Sequence, residues 1–444
     1  MKALARLLAW LNEQRRRHPR GFLVACGILC ALIVLPQSLR NNHADIMAAY
    51  QRDYQYADFT IARTFATNGE LAVRPGYPSY WRPPGHPLWL GAWMRLLGES
   101  YPSILLLFTV YLGFAGLAGA CSASLAMTFS GQAVAGPIAA GLFATSPVVA
   151  AYANAFVGDV PAAALHGSWL VLCVGVLRQR ESPRPRQLLA IGLALAAASF
   201  LRPVATLFPV LLLVLGVLWR SQRRRLVPVA VASLAGALAF SLPWATRNYL
   251  VCDDFSTFSQ PSVNLWAGSS WETRGLWHGK PADEFNRSWK TLPLTQPPRC
   301  FEQEMEADYA RRWRENLRSQ PAWQFPVLWL RNAARVWFGL DVGANQGIVF
   351  VFFRRLIPHQ IVLLVLCVAM FLRRGGSTGS GPALVLVLGF SAFITALAAL
   401  VPGEPRLALP FLPVLCALAA GGLAALLEPR ERGAPGAARE TDDG

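Results

Sequence analysis

The sequence predicts an all-α polytopic membrane protein, and its composition and the grouping of its apolar residues support this prediction. Of its 444 residues, 54% are hydrophobic and only 15% are charged, whereas soluble domains average roughly 45–50% apolar and about 25% charged residues. The apolar residues form long runs, several of them near the roughly 20 residues that a helix needs to cross a bilayer. A disordered chain and a disulfide-dense secreted domain are excluded, because the chain is apolar and its 8 cysteines are sparse.

Each apolar run is interpreted as one membrane span, which predicts a bundle of about 10–12 transmembrane helices. In chain order the runs are Gly21–Pro36, Ser103–Met127, Ala133–Ala151, Val160–Leu177, Gln187–Leu201, Ala205–Trp219, Leu226–Trp244, Ile357–Leu372, Pro382–Val401 and Leu407–Leu427. Several of these runs are short, so the exact number of spans stays open.

Clusters of arginine predict the orientation, since short Arg-rich loops remain on the cytoplasmic side of a membrane. The clusters begin at Arg15, Arg178, Arg220 and Arg373, and counting the spans between them puts all of them on one side. Both termini are therefore predicted to be cytoplasmic, in what we expect to be a bacterial inner membrane. The net charge of +16 follows mainly from these clusters, so it indicates topology and predicts no nucleic-acid partner.

This topology leaves two long segments on the outer, periplasmic side, and segments of this length tend to carry function. The predicted parts are an N-terminal transmembrane module (1–245) that includes a first outer loop (37–102), a second outer loop with interfacial helices (246–356), C-terminal transmembrane helices (357–427) and a cytoplasmic tail (428–444).

Cys252 and Cys300 are the two cysteines outside the apolar runs, and both lie in the second outer loop. In an oxidising compartment they are candidates for a disulfide, and the alternative is a pair of free thiols. No spacing of cysteine and histidine indicates a metal site, so we expect neither a metal nor another cofactor.

A small set of ionisable residues lies at the predicted outer interface, where a charge is costly unless it pairs or has a function. The set is Asp45, Asp53, Asp58, Asp159, Arg202, Arg247, Glu404 and Arg406. Arginine binds phosphate oxygens bidentately, and a nearby carboxylate accepts a proton from an attacking hydroxyl or amine. Together they predict group transfer from a lipid phosphate on the outer face. Structural alternatives remain: Asp159 as a helix cap, the arginines as interfacial anchors, and Glu404 paired with Arg406.

Short motifs follow one another along the chain from the first span to Pro413. They are an acidic first outer loop, Tyr80-Trp81-Arg82-Pro83-Pro84-Gly85-His86-Pro87, Asp159, Arg202-Pro203, Pro243-Trp244-x-x-Arg247-Asn248, Val263-Asn264-Leu265-Trp266-Ala267-Gly268, and Glu404-x-Arg406 with Pro410 and Pro413. In this order they resemble the polyprenyl-phosphate-sugar-dependent glycosyltransferases of the GT-C superfamily, within the branch of aminoarabinose transferases and protein O-mannosyltransferases. The resemblance implies a GT-C-like helical bundle with interfacial helices in a catalytic first outer loop.

The resemblance also implies a reaction, the inverting transfer of a sugar from a polyprenyl-phosphate-linked donor to a lipid, glycan or protein acceptor. In that family, an aspartate of the first outer loop serves as the base or orients the acceptor. Asp53 is the first choice here, because it precedes the stretch that leads to the Pro-Pro segment, and Asp58 and Asp45 are its rivals. Many relatives carry a second acid directly after this aspartate, whereas Tyr54 stands here.

The remaining site residues follow from the same resemblance. Asp159 matches the second acid of the family. The donor phosphate is assigned to Arg82, Arg202, Arg247 and Arg406, and the positioning of acceptor or donor to Tyr56, His86, Asn248 and Glu404. A transporter or flippase of lipid-linked glycans and an inactive subunit of an envelope assembly remain as alternatives. A transporter would be expected to carry charges at mid-span, which the apolar runs essentially lack.

Overall fold

A computed structural model of the chain describes residues 2–41, 46–47, 50, 57–80, 82–153, 156–179, 181–257, 261–271, 300–338, 347–373, 381–401 and 405–427. Within these ranges, four helices are long and apolar enough to cross a membrane: Pro19–Arg40, Tyr101–Ser130, Asp159–Arg178 and Arg220–Cys252. Shorter apolar helices are Ala135–Ala144, Pro185–Leu201, Ala205–Leu218, Leu356–Met370 and Leu412–Leu427. The predicted fold class, a helical polytopic membrane protein, is confirmed.

The N-terminal half contains nine of the described helices and a small hairpin. The helices are α1 (Lys2–Arg17), α2 (Pro19–Asn41), α3 (Ala57–Asn68), α4 (Gly85–Leu97), α5 (Tyr101–Ser130), α6 (Ala135–Ala144), α7 (Pro147–Tyr152), α8 (Asp159–Arg178) and α9 (Pro185–Leu201). The antiparallel hairpin of β1 (Ala72–Arg74) and β2 (Tyr77–Pro78) lies between α3 and α4. Its turn is Pro75-Gly76, and Gly76 has a φ of 78°, which glycine adopts without steric cost.

The C-terminal half is also helical where the structure describes it. Its helices are α10 (Phe208–Leu218), α11 (Arg223–Cys252), α12 (Pro261–Ser269), α13 (Phe301–Ser319), α14 (Gln324–Phe338), α15 (Gly347–Arg373), α16 (Gly381–Ala399) and α17 (Leu412–Leu427), with 3-10 turns at Pro203–Leu207, Arg220–Gln222 and Pro405–Ala408.

Every predicted span falls mainly on helical structure, but several differ in extent; the span predicted over Ile357–Leu372, for example, is part of a helix that begins at Gly347. The span predicted over Ala133–Ala151 is two helices, because Pro147 has no N–H to continue α6 and holds Ser146 in an extended conformation. The span predicted to end at Trp244 continues to Cys252 as part of α11, in spite of Pro243 within it. Arg247 therefore lies within α11, near its C-terminal end.

The long helix α5 is the centre of the bundle and packs against α2, α6, α8 and α17. Small residues allow the close approach of two backbones, as in many membrane bundles. At the contact with α2, a Cβ on Gly116 would lie 2.9 Å from the Gly27 carbonyl oxygen. Larger side chains here would separate α2 from α5.

The antiparallel helices α8 and α9 place different charged residues at the two ends of the bundle. α8 begins at Asp159 and ends at Arg178, while its packing partner α9 begins after Arg184 and ends just before Arg202. A helix of 20 residues is about 30 Å long. The arginine clusters and the candidate acid Asp159 therefore lie at opposite ends of the same helices.

Candidate functional site

The first turns of α4 and α8 lie against each other. Both helices have a proline at their third residue, Pro87 and Pro161, where the missing N–H costs no helical hydrogen bond. A Cβ on Gly158, the residue before α8, would lie 3.3 Å from the Cβ of His86. Helix N-termini carry partial positive charge and unpaired N–H groups, so two of them together favour an anion.

Glycine is required where α4 meets the end of α9. A Cβ on Gly85 would clash with the carbonyl oxygen of Phe200. Two residues later Arg202 is extended (φ −142°, ψ 102°), as expected for a residue before proline. This contact brings Arg202 to the junction of α4 and α8.

Asp159 and Arg202 form an ion pair at this junction. The Asp159 side chain is 3% exposed and that of Arg202 is 28% exposed. Asp159 is the first residue of α8, with Gly158 as N-cap, so the carboxylate also lies at the positive end of the helix. The helix-cap alternative for Asp159 is replaced by an ion pair with a half-buried arginine.

A second ion pair joins α3 to the Pro-Pro segment. Arg82 Nε lies 3.7 Å from Asp58 Oδ2, and the side chains are 24% and 15% exposed. Asp58 is in the first turn of α3, and Arg82 precedes α4 by three residues. Each pair thus contains a predicted phosphate-binding arginine and a predicted acid.

The imidazole of His86 is buried and lies close enough to both ion pairs to interact with them electrostatically. Its Nε2 lies 2.6 Å from the hydroxyl oxygen of Tyr111 on α5. Nδ1 has no hydrogen-bond partner among the described residues. Burial lowers the pKa of His86, and the nearby carboxylates of Asp58 and Asp159 only partly oppose this while the two arginines add to it. The ring is therefore neutral near pH 7.

A small groove lies beside the junction, between α9 and α11. Its lining is mainly apolar and aromatic and consists of Pro84, Ser199, Phe200, Pro203, Phe240, Ser241, Trp244 and Thr257. Two of these residues flank Arg202 closely in sequence. An apolar groove next to a cation suits an amphiphile with an anionic head.

Arg247 and Asn248 are engaged elsewhere. Arg247 donates to the backbone carbonyls of Ser79 (3.2 Å) and Leu71 (3.1 Å) and lies 4.9 Å from the centre of the Trp244 ring. Asn248 donates to the Ser256 carbonyl at 2.7 Å. Among the described residues, no ion pair or hydrogen bond joins Arg247 to either acid of the junction. Arg247 therefore fastens the segment around Leu71 and Ser79 to α11, whereas Asn248 holds the residues that directly follow α11 against that helix.

A disulfide joins Cys252 to Cys300, with their Cα atoms 5.2 Å apart. It connects the last residue of α11 to the start of α13, and Tyr80 packs against it. The Tyr80 hydroxyl donates to Asp254 Oδ2 at 2.6 Å. Burial and that carboxylate raise the pKa of Tyr80. Of the two alternatives for the cysteines, the structure contains the disulfide.

Acidic residues at the start of α13 complete this second cluster. Glu302 is buried and accepts a hydrogen bond from the Ser79 hydroxyl. Glu306 accepts the backbone N–H of Ser262 at 3.0 Å, at the start of α12. Burial is the main reason that the pKa of Glu306 is raised to about 7. These contacts join segments that are distant in sequence, so no local sequence pattern indicates them.

Several predicted site residues cannot be placed. Asp45, Asp53, Tyr56 and Glu404 lie outside the described residues, as does the side chain of Arg406. Tyr111 contacts His86 but was not predicted as a site residue from the sequence. It lies within a long apolar helix, and its hydroxyl is the one feature that could have indicated a polar role. In the described part of the chain, no group of three or more His, Cys, Asp or Glu residues is arranged to hold a metal ion.

Comparisons with known proteins give distant similarities. No family model and no curated protein matches the chain. Among solved structures, it is similar to ArnT from Cupriavidus metallidurans in the apo state, with a TM-score of 0.36 and 15% identity over 84% of this chain and 72% of that one. It is also similar to that ArnT bound to undecaprenyl phosphate, with a TM-score of 0.38 and 14% identity over 84% and 73% of the chains. TM-scores this low establish neither a family nor an activity for this chain.

Proposed function

We propose that this protein is an integral-membrane glycosyltransferase that moves a sugar from a polyprenyl-phosphate-linked donor to a lipid, glycan or protein acceptor. The observation that carries the proposal is the pair of acid–arginine contacts around His86, where two helix N-termini meet. The order of motifs that resembles the GT-C superfamily supports the same function. The reaction needs no cofactor in this scheme.

The donor phosphate is bound by Arg82 and Arg202 in this proposal. Both arginines lie beside helix N-termini, and a guanidinium binds two phosphate oxygens with one planar fork. These cations also stabilise the negative charge that develops on the leaving polyprenyl phosphate. The prenyl chain enters the groove between α9 and α11, next to Arg202. Arg406 remains a further candidate for the phosphate.

Each arginine exchanges its carboxylate for the phosphate when the donor binds. The carboxylate that the arginine releases is then free to contact the acceptor. Asp58, which pairs with Arg82, is one candidate for the base that accepts the acceptor's proton, and Asp53 and Asp45 of the same segment are the others.

The direct test measures release of polyprenyl phosphate from a panel of polyprenyl-phosphate sugars by the purified protein. Asp58→Asn should reduce the rate at least 100-fold, on the order of what a general base contributes. Wild-type turnover in this variant would show that Asp58 is not the general base. Asp53→Asn in the same assay would then show whether Asp53 is. Glu181→Gln, at the arginine-rich end of the molecule, is the control and should keep full activity. No turnover by wild type with any donor would remove the proposed function.

The orientation is part of the proposal. The site belongs on the periplasmic side, because the arginine clusters lie at the opposite helix ends and short Arg-rich loops stay cytoplasmic. Single cysteines introduced at Glu181 and Glu99, read with a membrane-impermeant thiol reagent on intact cells, test this. Labelling at position 181 and protection at position 99 would reverse the orientation.

A further inference from the structure

His86 presents one free ring nitrogen inside the candidate site. The residue is 4% exposed, and Nδ1 has no partner among the described residues, while Nε2 is engaged by Tyr111. A buried polar atom without a partner costs free energy in the unliganded protein. A substrate atom that bonds to Nδ1 removes this cost, so the site favours a ligand that reaches the ring.

The surroundings decide which tautomer of His86 suits such a ligand. The charged groups near the ring are the carboxylates of Asp58 and Asp159 and the two arginines that pair with them, so acids and cations balance each other before a ligand binds. The proposed ligand adds phosphate oxygens, which are matched by a donor, hence by a proton on Nδ1. That tautomer leaves Nε2 as the acceptor, and the Tyr111 hydroxyl at 2.6 Å is positioned to donate to it.

We propose that His86 is a phosphate-binding residue whose Nδ1–H donates to an oxygen of the lipid phosphate, and that Tyr111 is a positioning residue that holds this tautomer. The proposal rests on the function proposed above and adds an uncharged donor to the two arginines. A neutral donor adds a hydrogen bond to the phosphate without further repulsion between the arginines. Tyr111 itself is fixed by an edge contact with Phe156, whose ring centre lies 5.6 Å away.

The test uses side chains that replace one ring nitrogen at a time. The amide nitrogen of His86→Asn lies near the position of Nδ1, whereas that of His86→Gln lies near Nε2. Binding of undecaprenyl phosphate to the full-length protein in detergent is measured by titration, with the thermal unfolding midpoint as the check on folding. His359→Asn is the control, since this histidine bonds the Leu142 carbonyl at 3.1 Å and no residue of the site.

We expect His86→Gln to weaken undecaprenyl phosphate binding by roughly tenfold to a hundredfold, the loss of one hydrogen bond to a charged group. His86→Asn should retain most of the affinity, and Tyr111→Phe should lose it several-fold with an unchanged unfolding midpoint. Equal affinity in His86→Gln and wild type would overturn the proposal, as would equal losses in both His86 variants.

Two further outcomes separate this inference from the proposed function. If wild type binds no polyprenyl phosphate, the proposed function fails, whatever the variants do. If His86→Gln does not fold, Tyr111→Phe decides, because it keeps the ring contact with Phe156. Wild-type affinity in Tyr111→Phe would then overturn the proposal, because the Nδ1–H tautomer depends in it on the Tyr111 hydroxyl.

Discussion

The ion pair of Asp159 and Arg202 makes a prediction about stability that can be separated from activity. Asp159→Asn keeps the shape of the side chain and removes its charge. Arg202 then remains charged beside a neutral amide, at a helix N-terminus that is itself partially positive. The uncompensated charge should destabilise the folded protein.

The expected loss follows from the burial of the two partners. Removal of one partner from a fully buried ion pair costs about 3–5 kcal/mol. Arg202 is 28% exposed, so water recovers part of the loss, and we expect about 2–3 kcal/mol. The matched change Asp58→Asn breaks a longer contact of 3.7 Å, and its carboxylate is 15% exposed, compared with 3% for that of Asp159. Its cost should stay below about 1 kcal/mol.

The assay is a comparison of free energies of unfolding in mixed micelles, together with the rate of polyprenyl phosphate release. The double variant Asp159→Asn with Arg202→Gln should regain most of the lost stability, because no uncompensated charge remains. The double variant should release no polyprenyl phosphate, because Arg202, a proposed ligand of the phosphate, has been replaced. A loss below about 0.5 kcal/mol in Asp159→Asn, or no recovery in the double variant, would refute this account of the pair.

Three other predictions concern the loops and the helix junction. Glu306→Gln should raise the free energy of unfolding by about 1–2 kcal/mol at pH 8 and leave it unchanged at pH 4. The reason is that a pKa raised to about 7 makes wild type lose stability as pH rises from about 4.5 to 7, while the amide does not titrate. Unfolding titrations at both pH values check the sign, and a larger gain at pH 4 would contradict it. Replacement of Cys252 and Cys300 by serine opens a loop with a sequence separation of 48 and should cost roughly 2–4 kcal/mol in the same titration; an unchanged midpoint would contradict a stabilising role. Gly85→Ala should lower phosphate binding at least tenfold, because the methyl group forces the backbone of Phe200 away and Arg202 with it. Full binding would show that the contact tolerates a Cβ.

The spans could be predicted from the sequence because each one depends on local composition. A run of apolar residues is stable in a bilayer only as a helix, since every backbone polar group must be bonded within the segment. The helix ends were harder to predict next to proline residues. Pro147 ends a helix, whereas Pro243 lies inside α11 without ending it, and the sequence around them does not distinguish the two cases.

The site was predictable in its members but not in its pairings. Asp159, Arg202, Arg82 and His86 were selected one by one as costly charges or as motif residues, and the structure brings them together through contacts between distant segments. Arg247 donates to the carbonyls of Ser79 and Leu71, which flank the β-hairpin. The alternation of residues in the sequence did not predict that hairpin. Tertiary contacts of this kind do not follow from local pattern.

The charge distribution explains why the candidate site does not depend on the large net charge. The excess of +16 lies mainly in the arginine clusters at the other helix ends. At the junction, two arginines face two carboxylates around a neutral imidazole, so the formal charge of these five side chains sums to zero. In the proposed function, attraction for the lipid phosphate therefore comes from the helix N-termini and from the exchange of a carboxylate for the ligand.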